Sequence, residues 1–361
     1  MGIKIILLII FFAVMAAVGI YSRRHVTSVD GFVLGGRSVG PWLTAFAYGT
    51  SYFSAVVFVG YAGQFGWKYG IASTWIGIGN ALIGSLLAWV VLGRRTKVMT
   101  QHLGSRTMPD FFGERYKSKS LKITASVIVF VFLIPYTASV YNGLSRLFAM
   151  AFNIPYTWCV VTMAAFTALY VILGGYMATA INDFIQGIIM LIGIVAVIAA
   201  VLNGQGGFMN AIAEMAKIPS DVPLTQGQPG AFTSFFGPDP VNLLGVVLLT
   251  SLGTWGLPQM IGKFYAIKDE KSISTGTIIS TIFAIIISGG CYFLGGFGRL
   301  FDSPEIYDKA GGAVVYDSAK MTLEQVMAVI KDAWKEKKEV VRLHTGDPCL
   351  YGAIREQMDE M

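Results

Sequence analysis

Two stretches of the chain concentrate small and hydroxyl-bearing residues in the middle of apolar runs. The first is Ala47-Tyr48-Gly49-Thr50-Ser51-Tyr52-Phe53-Ser54, and the second is Thr250-Ser251-Leu252-Gly253-Thr254-Trp255-Gly256-Leu257-Pro258. The chemistry open to such residues is cation coordination and hydrogen bonding to a solute. A sodium ion leaving water must find carbonyl and hydroxyl oxygens, and inside a bilayer unwound backbone is tolerable only where it is buried or lines a cavity. Glycine and proline weaken or remove helical hydrogen bonds, so each stretch can break a helix at mid-span. The alternative reading is that small residues simply let helices pack closely. The separation of the two stretches suits corresponding members of two inverted repeats, five helices apart.

Asp183 is the third candidate, in the run Gly174-Gly175-Tyr176 through Asn182-Asp183-Phe184-Ile185-Gln186. A carboxylate at the centre of a membrane helix costs about 2.5–3.5 kcal/mol on insertion scales, and less near an end. It can act as a waypoint for a cation leaving toward the cytoplasm. It can equally be an N-terminal carboxylate that faces water and complements the helix dipole. Composition leaves both readings open.

The elements that must hold these residues are membrane helices. Of 361 residues, 54% are hydrophobic and only 13% charged, with mean hydropathy +0.62. A soluble domain carries about 25% charged residues, so most of this chain is not built for water. Forty-two glycines agree, because glycine is commoner in membrane helices than in soluble ones. Cys159, Cys291 and Cys349 have no metal-type spacing and argue for no disulfide. A helix crossing ~30 Å of hydrocarbon needs about 20 residues. Eight segments qualify, roughly 3–21, 40–61, 71–93, 123–150, 156–174, 181–202, 241–262 and 275–298. A short amphipathic piece, Met108 to Tyr116, lies between the third and fourth, and a surface helix near Met209–Lys217 sits in the long polar loop Asn203 to Pro240.

Lysine and arginine set the orientation. Loops on one side carry Arg23, Arg24, Arg37, Arg94, Arg95, Lys97, Arg106, Arg115, Lys117, Lys119, Lys122, Lys263, Lys268 and Lys271, against Lys4, Lys68 and Lys217 on the other. This imbalance places the first set in the cytoplasm and the N-terminus outside. The net charge of +6 is therefore a topology signal rather than a sign of a nucleic-acid partner. The run Ile3 to Ile20 reads as a retained first helix rather than a cleaved leader, being long for a signal core and followed by Arg23-Arg24.

After about Gly312 the character changes, and Met321 to Met361 has no membrane-length apolar run. Thr322 opens a helix, Glu339-Val-Val-Arg-Leu reads as a strand, His344-Thr-Gly-Asp-Pro as a turn, and a further helix starts near Tyr351. The expected organisation is a membrane domain over 1–317 and a short α/β soluble-type tail over 318–361.

Four blocks in order resemble the sodium:solute symporter family. They are Gly35-Gly36-Arg37-Ser38-Val39-Gly40-Pro41, Thr107-Met108-Pro109-Asp110 through Arg115-Tyr116, Gly174-Gly175 through Asp183 and Gln186, and Gly256-Leu257-Pro258 through Lys263-Phe264. The resemblance implies an all-α polytopic membrane protein with a LeuT-type inverted-repeat fold, one extra N-terminal helix, and alternating access. It implies sodium-coupled symport of a small organic solute across the cytoplasmic membrane, with membrane lipid as surroundings and no organic cofactor. By position, the Thr50 and Phe53 carbonyls would ligate sodium, and Asp183 would lie on the ion exit route. Ser51, Ser54, Thr250, Thr254 and Trp255 would line the solute cavity. A membrane potential supplies ~2.3 kcal/mol per charge at 100 mV, roughly 40-fold accumulation per sodium.

The chain departs from the family in three places. Sodium/proline carriers have an aspartate where Tyr52 stands, and aromatics near the positions of Thr250 and Thr254, which argues against proline as solute. The hydroxyls of core helix 8, which complete the family's sodium site, have no counterpart after Gly298, so the fold is expected to stop after core helix 7 and the chain not to accumulate solute. The segment Ala319 through Ile354, with Gly346-Asp347-Pro348-Cys349-Leu350-Tyr351-Gly352, resembles instead a fragment of cobalt-precorrin-4 methyltransferase, joined near Tyr316-Asp317-Ser318. At about this length it cannot build a core of its own. An S-adenosylmethionine-dependent methyltransferase on a membrane anchor is the enzyme-class alternative, and a non-transporting symporter-like sensor is the other. The expectation is a transporter and not an enzyme.

Overall fold

The computed structural model describes residues 2–54, 56–152, 154–301 and 323–336. Among these the chain is helical, with a long connection between Lys217 and Pro240, and the isolated parallel bridge between Val39 and Ile267 is the one β feature. Contacts divide the chain into Met1–Phe297 and Gly298–Met361. In the second unit the described elements are a 3-10 turn, Gly298–Phe301, and the amphipathic helix Leu323–Lys335, which starts one residue after the cap expected at Thr322. The strand, turn and last helix expected from Glu339 onward lie outside the described residues, as does the join at 316–318.

The first unit opens with α1 (Gly2–Ser22), apolar apart from Lys4 and its polar end at Tyr21-Ser22. The short α2 (Val29–Leu34) is capped by Ser28, whose hydroxyl accepts from the Gly31 amide at 3.0 Å. Next comes α3 (Pro41–Tyr52), which begins on proline because the first helical amide needs no partner. A wide π-type turn (Val56–Tyr61) leads into α4 (Ala62–Tyr69), and the chain then turns at Gly70 into α5, residues 74–102. The amphipathic helix expected at Met108 to Tyr116 is α6 (Met108–Tyr116), and α7 (Lys119–Phe152) follows it.

The long helical run Tyr156–Gly204 is a hairpin rather than one rod. Gly175 has φ 56° and ψ −148°, a region open essentially to glycine alone. Phe166 before it packs on Phe12, while Gln186 after it reaches Met15, so both arms lie beside the same part of α1. The arms are α8 (156–174) and α9 (176–204). Gly70, at φ 62° and ψ −144°, makes the equivalent turn between α4 and α5. The surface helix α10 (Phe208–Lys217) precedes α11 (Pro240–Leu252), α12 (Pro258–Ala266) and α13 (Glu270–Gly296).

By length and composition, Ala62–His102, Lys119–Ala149, Tyr156–Gly204 and Glu270–Gly296 are apolar enough to cross a membrane, with Ile6–Ser22 and Pro240–Leu252 as shorter apolar helices. No part of the most apolar window of α7 is buried against protein, and α11 turns Val241, Leu244, Leu248, Leu249 and Leu252 outward as one stripe. Lipid is the solvent such faces need. The interior is aromatic: Phe46 packs on Phe184 and Phe283, while Tyr48 packs on Trp89 and Phe264. These contacts draw α3, α5, α9, α12 and α13 together around the two stretches singled out above.

Candidate functional site: two interrupted helices

The hydrogen-bond ladder of α3 ends where the Phe53 amide donates to the Gly49 carbonyl at 2.8 Å. Among the described residues, the next backbone bond runs from the Val57 amide to the Ser54 carbonyl at 3.0 Å. A helix end leaves its last four carbonyls without intrahelical partners. Here those are Thr50, Ser51, Tyr52 and Phe53, the set that includes both proposed sodium ligands. Phe53 is 1% exposed and its ring stacks on Tyr52 at 4.4 Å, while Ser51 and Ser54 are half-buried at the edge of the gap. The Thr50 hydroxyl bonds back to the Phe46 carbonyl at 2.9 Å, a fourth-residue contact that loosens a helix locally.

The second interruption separates α11 from α12. The last regular bond of α11 is Gly253 amide to Leu249 carbonyl, 3.0 Å, and the chain then runs through Thr254, Trp255 and Gly256 before Pro258 restarts the helix. Each half is therefore short, 13 residues and 9 residues. The two breaks meet directly. Tyr52 donates from its hydroxyl to the Thr250 carbonyl at 2.9 Å, bridging the end of α3 to the end of α11. The position that departs from the sodium/proline pattern is thus the one that ties the interruptions together.

The wall beside both breaks is α5, which is wound as a π-helix over Asn80–Leu87 and again over Trp89–Gly93. Wide turns of this kind leave carbonyls available to other donors and cluster at functional sites. The Ile83 carbonyl accepts from Trp255 Nε1 at 3.1 Å, and the Gly84 carbonyl accepts from the Tyr48 hydroxyl at 3.0 Å. Asn80, 1% exposed, accepts through Oδ1 from the Thr250 hydroxyl at 2.9 Å and the Ser251 hydroxyl at 3.1 Å. Thr254 turns its hydroxyl back to the Ser251 carbonyl at 3.1 Å.

Asp183 lies on α9, with the Lys263 ammonium 3.5 Å from its Oδ2 and the Thr50 hydroxyl beside it. Lys263 belongs to α12, is 7% exposed, and also lies 5.3 Å from the Tyr176 ring. The sequence count of loop cations included Lys263 and Lys97, and both are buried. Lys97 donates to the Ile267 carbonyl, and Arg37 donates to the Ser105 carbonyl at 2.6 Å. The backbone of Val39, just before α3, pairs with Ala266, the last residue of α12, at 3.3 Å and with Lys268 at 2.9 Å. The outer ends of the two interrupted helices are thereby fastened to each other and to α5.

An apolar groove of about 610 Å³ flanks the second break, between Met108 and Phe112 of α6, Ile128 and Phe132 of α7, and Gly256 to Pro258. Its lining suits hydrocarbon and not an ion. Among the described residues no cluster of three or more His, Cys, Asp or Glu could hold a metal. At the two breaks the described donors are backbone and hydroxyl oxygens, with the Asp183 carboxylate beside Thr50, a hard-oxygen set that suits a monovalent cation. Sequence reasoning anticipated both breaks, and it did not anticipate the contacts of Asn80, the bridge made by Tyr52, or the pairing of Lys263 with Asp183. Asn80 is a lone amide in an apolar run, and its partners are 170 residues away.

Known proteins share this sequence pattern and fold. The pattern of the sodium:solute symporter family matches residues 32–331, running past the expected boundary at 317. Sodium/proline symporters of Staphylococcus aureus strains JH9 and NCTC 8325 are each 33% identical over 276 residues, covering 74% of this chain and 51% of theirs. The match thus spans about half the length of those relatives. A solved Na+-coupled sialic acid symporter, in a substrate-bound outward-open state, superposes with TM-score 0.66 at 16% identity, over 86% of this chain and 62% of that one. Family pattern, relatives and fold agree, and the chain belongs to the sodium:solute symporter family.

Proposed function

We propose that this chain contributes the ion and solute site of a sodium-coupled symporter of the cytoplasmic membrane, with its N-terminus outside. The Thr50 and Phe53 carbonyls hold sodium at the α3 break, and Asp183 receives the ion on its way to the cytoplasm. Ser51, Ser54, Thr250, Thr254 and Trp255 border the solute. The observation that carries this reading is the Tyr52–Thr250 hydrogen bond between two interrupted helices, which makes the breaks one site.

The solute is a small organic molecule, and the relatives' solutes, proline and sialic acid, are both carboxylates. A helix N-terminus such as that of α12 favours a negatively charged group. Tyr52, in place of the aspartate of sodium/proline carriers, leaves this end of α3 uncharged and open to a solute other than proline. Sodium is the coupling ion and no organic cofactor is required. Coupling is reciprocal, so sodium must raise solute affinity by the factor by which solute raises sodium affinity. The test is equilibrium dialysis of the purified chain with labelled proline, sialic acid and a panel of small carboxylates, in sodium and in potassium. Tighter binding of one of them in sodium supports the proposal. Equal binding of every solute in both salts rejects it.

A further inference from the structure

We infer that Asn80 is the positioning residue through which the α3 break and the α11 break respond to each other, a role that rests on the sodium reading above. Three observations converge on it. First, Asn80 Oδ1 takes two hydroxyl donors, Thr250 and Ser251, from the last turn of α11 before it breaks. Second, its Nδ2 donates to the Ser288 hydroxyl at 3.4 Å, and Ser288 lies in a π-helical turn of α13, Ile285–Gly289. Third, Asn80 opens the π-helical stretch of α5 whose Gly84 carbonyl holds Tyr48 of α3 and whose Ile83 carbonyl holds Trp255 of the second break.

The physical argument concerns what a buried amide can do that an apolar residue cannot. In this interior Asn80 is 1% exposed, so water does not compete for its bonds. Its acceptor fixes the rotation of the last α11 turn. That turn presents the Thr250 carbonyl to Tyr52 and the Ser251 carbonyl to the Thr254 hydroxyl. A change in the α3 backbone, such as one drawn inward around a cation, moves Tyr48 and Tyr52 together. It then reaches α11 by two routes, the direct Tyr52–Thr250 bond and the Gly84–Ile83–Asn80 segment of α5. The π-type winding supplies the compliance, because its wide turns tolerate more than one register. Removing the amide frees the last α11 turn, on which both routes act, while leaving the α3 carbonyls untouched.

Amide hydrogen exchange on the full chain in detergent or nanodiscs, in sodium and in potassium, tests this directly. In the wild-type chain sodium slows exchange over both 50–57 and 253–260, the latter by about fivefold or more, the lower end of ordinary coupling between sites. In Asn80→Leu the effect of sodium at 50–57 remains and that at 253–260 falls below about twofold. The double variant Thr250→Val/Ser251→Ala removes the same bonds from the other side and behaves likewise. Asn80→Asp keeps the two-hydroxyl acceptor and restores coupling. Persistence of the full effect at 253–260 in Asn80→Leu, or in the double variant should Asn80→Leu fail to fold, overturns the role of Asn80 alone. Absence of any sodium effect at 50–57 in the wild-type chain overturns the sodium reading and the inference with it.

Discussion

The Tyr52 hydroxyl donates a 2.9 Å hydrogen bond to the Thr250 carbonyl across 198 positions of sequence, and it joins the two places where membrane helices stop being helices. A carbonyl at the end of α11 would otherwise lack an intrahelical partner. A tyrosine reaching from α3 satisfies it without adding charge. Phe53 stacked on the same ring keeps that reach in place.

Tyr52→Phe keeps the ring stack and deletes the bond. The expected cost is about 1 kcal/mol, the net value of one such hydrogen bond. Thermal unfolding in detergent reads this as a midpoint lower by roughly 2 °C. A variant as stable as the wild-type chain argues that the bridge contributes nothing.

Asp183 and Lys263 are partly buried partners, so neutralising one strands the other. Asp183→Asn and Lys263→Met are each expected to cost about 2–4 kcal/mol, while the double variant costs less than either. Melting temperatures of the three variants decide it. Additive losses in the double variant argue that the two side chains are independent.

Gly70 and Gly36 separate backbone strain from crowding. Gly36 has φ +65° with nothing within 4 Å of the place a Cβ would take, whereas at Gly70 the Phe232 backbone occupies that space. Gly36→Ala is expected to cost about 1 kcal/mol for the left-handed conformation alone. Gly70→Ala adds overpacking of about 1–3 kcal/mol and stands in a region that only glycine visits comfortably. Expression and melting of the two variants should differ clearly, and equal losses contradict the geometry.

Asp269 caps α13 by accepting from the Ser272 amide at 2.7 Å. Hydrogen bonds from Ser272 hold its carboxyl below the usual carboxylate range. A group whose folded value is depressed stabilises the fold above its ordinary value near ~4 and loses that contribution as pH falls through the folded value. Exchange of the first-turn amides of α13 should therefore speed up, relative to other helix starts, below about pH 4. Asp269→Asn caps without titrating and should remove that extra sensitivity.

Much of the scaffold could be read from the chain before its structure, and the reasons are local. Gly49 with its neighbouring hydroxyls, and Gly253 through Pro258, break helices because of what each residue does to its own backbone. Met108 to Tyr116 carries Thr107 and Pro109 at its start, and the span expected to end at 174 stops where Gly175 turns the chain. What was not legible depends on distant partners. Asn80 differs from a tolerated polar residue only through Thr250, Ser251 and Ser288. The π-type winding of α5 follows from packing, since no proline lies in that stretch. Lys263 looked like a loop cation because the seventh span was expected to end near 262, and α12 instead continues to Ala266 and places Lys263 against Asp183.

Sodium held by the carbonyls after the last bond of α3 is the claim on which the rest depends. Radioactive sodium binding to the purified chain, competed with unlabelled sodium or potassium, measures it without any knowledge of the solute. Saturable binding displaced by sodium and not by an equal concentration of potassium is the predicted result. Binding that never saturates, or that potassium displaces equally well, contradicts it.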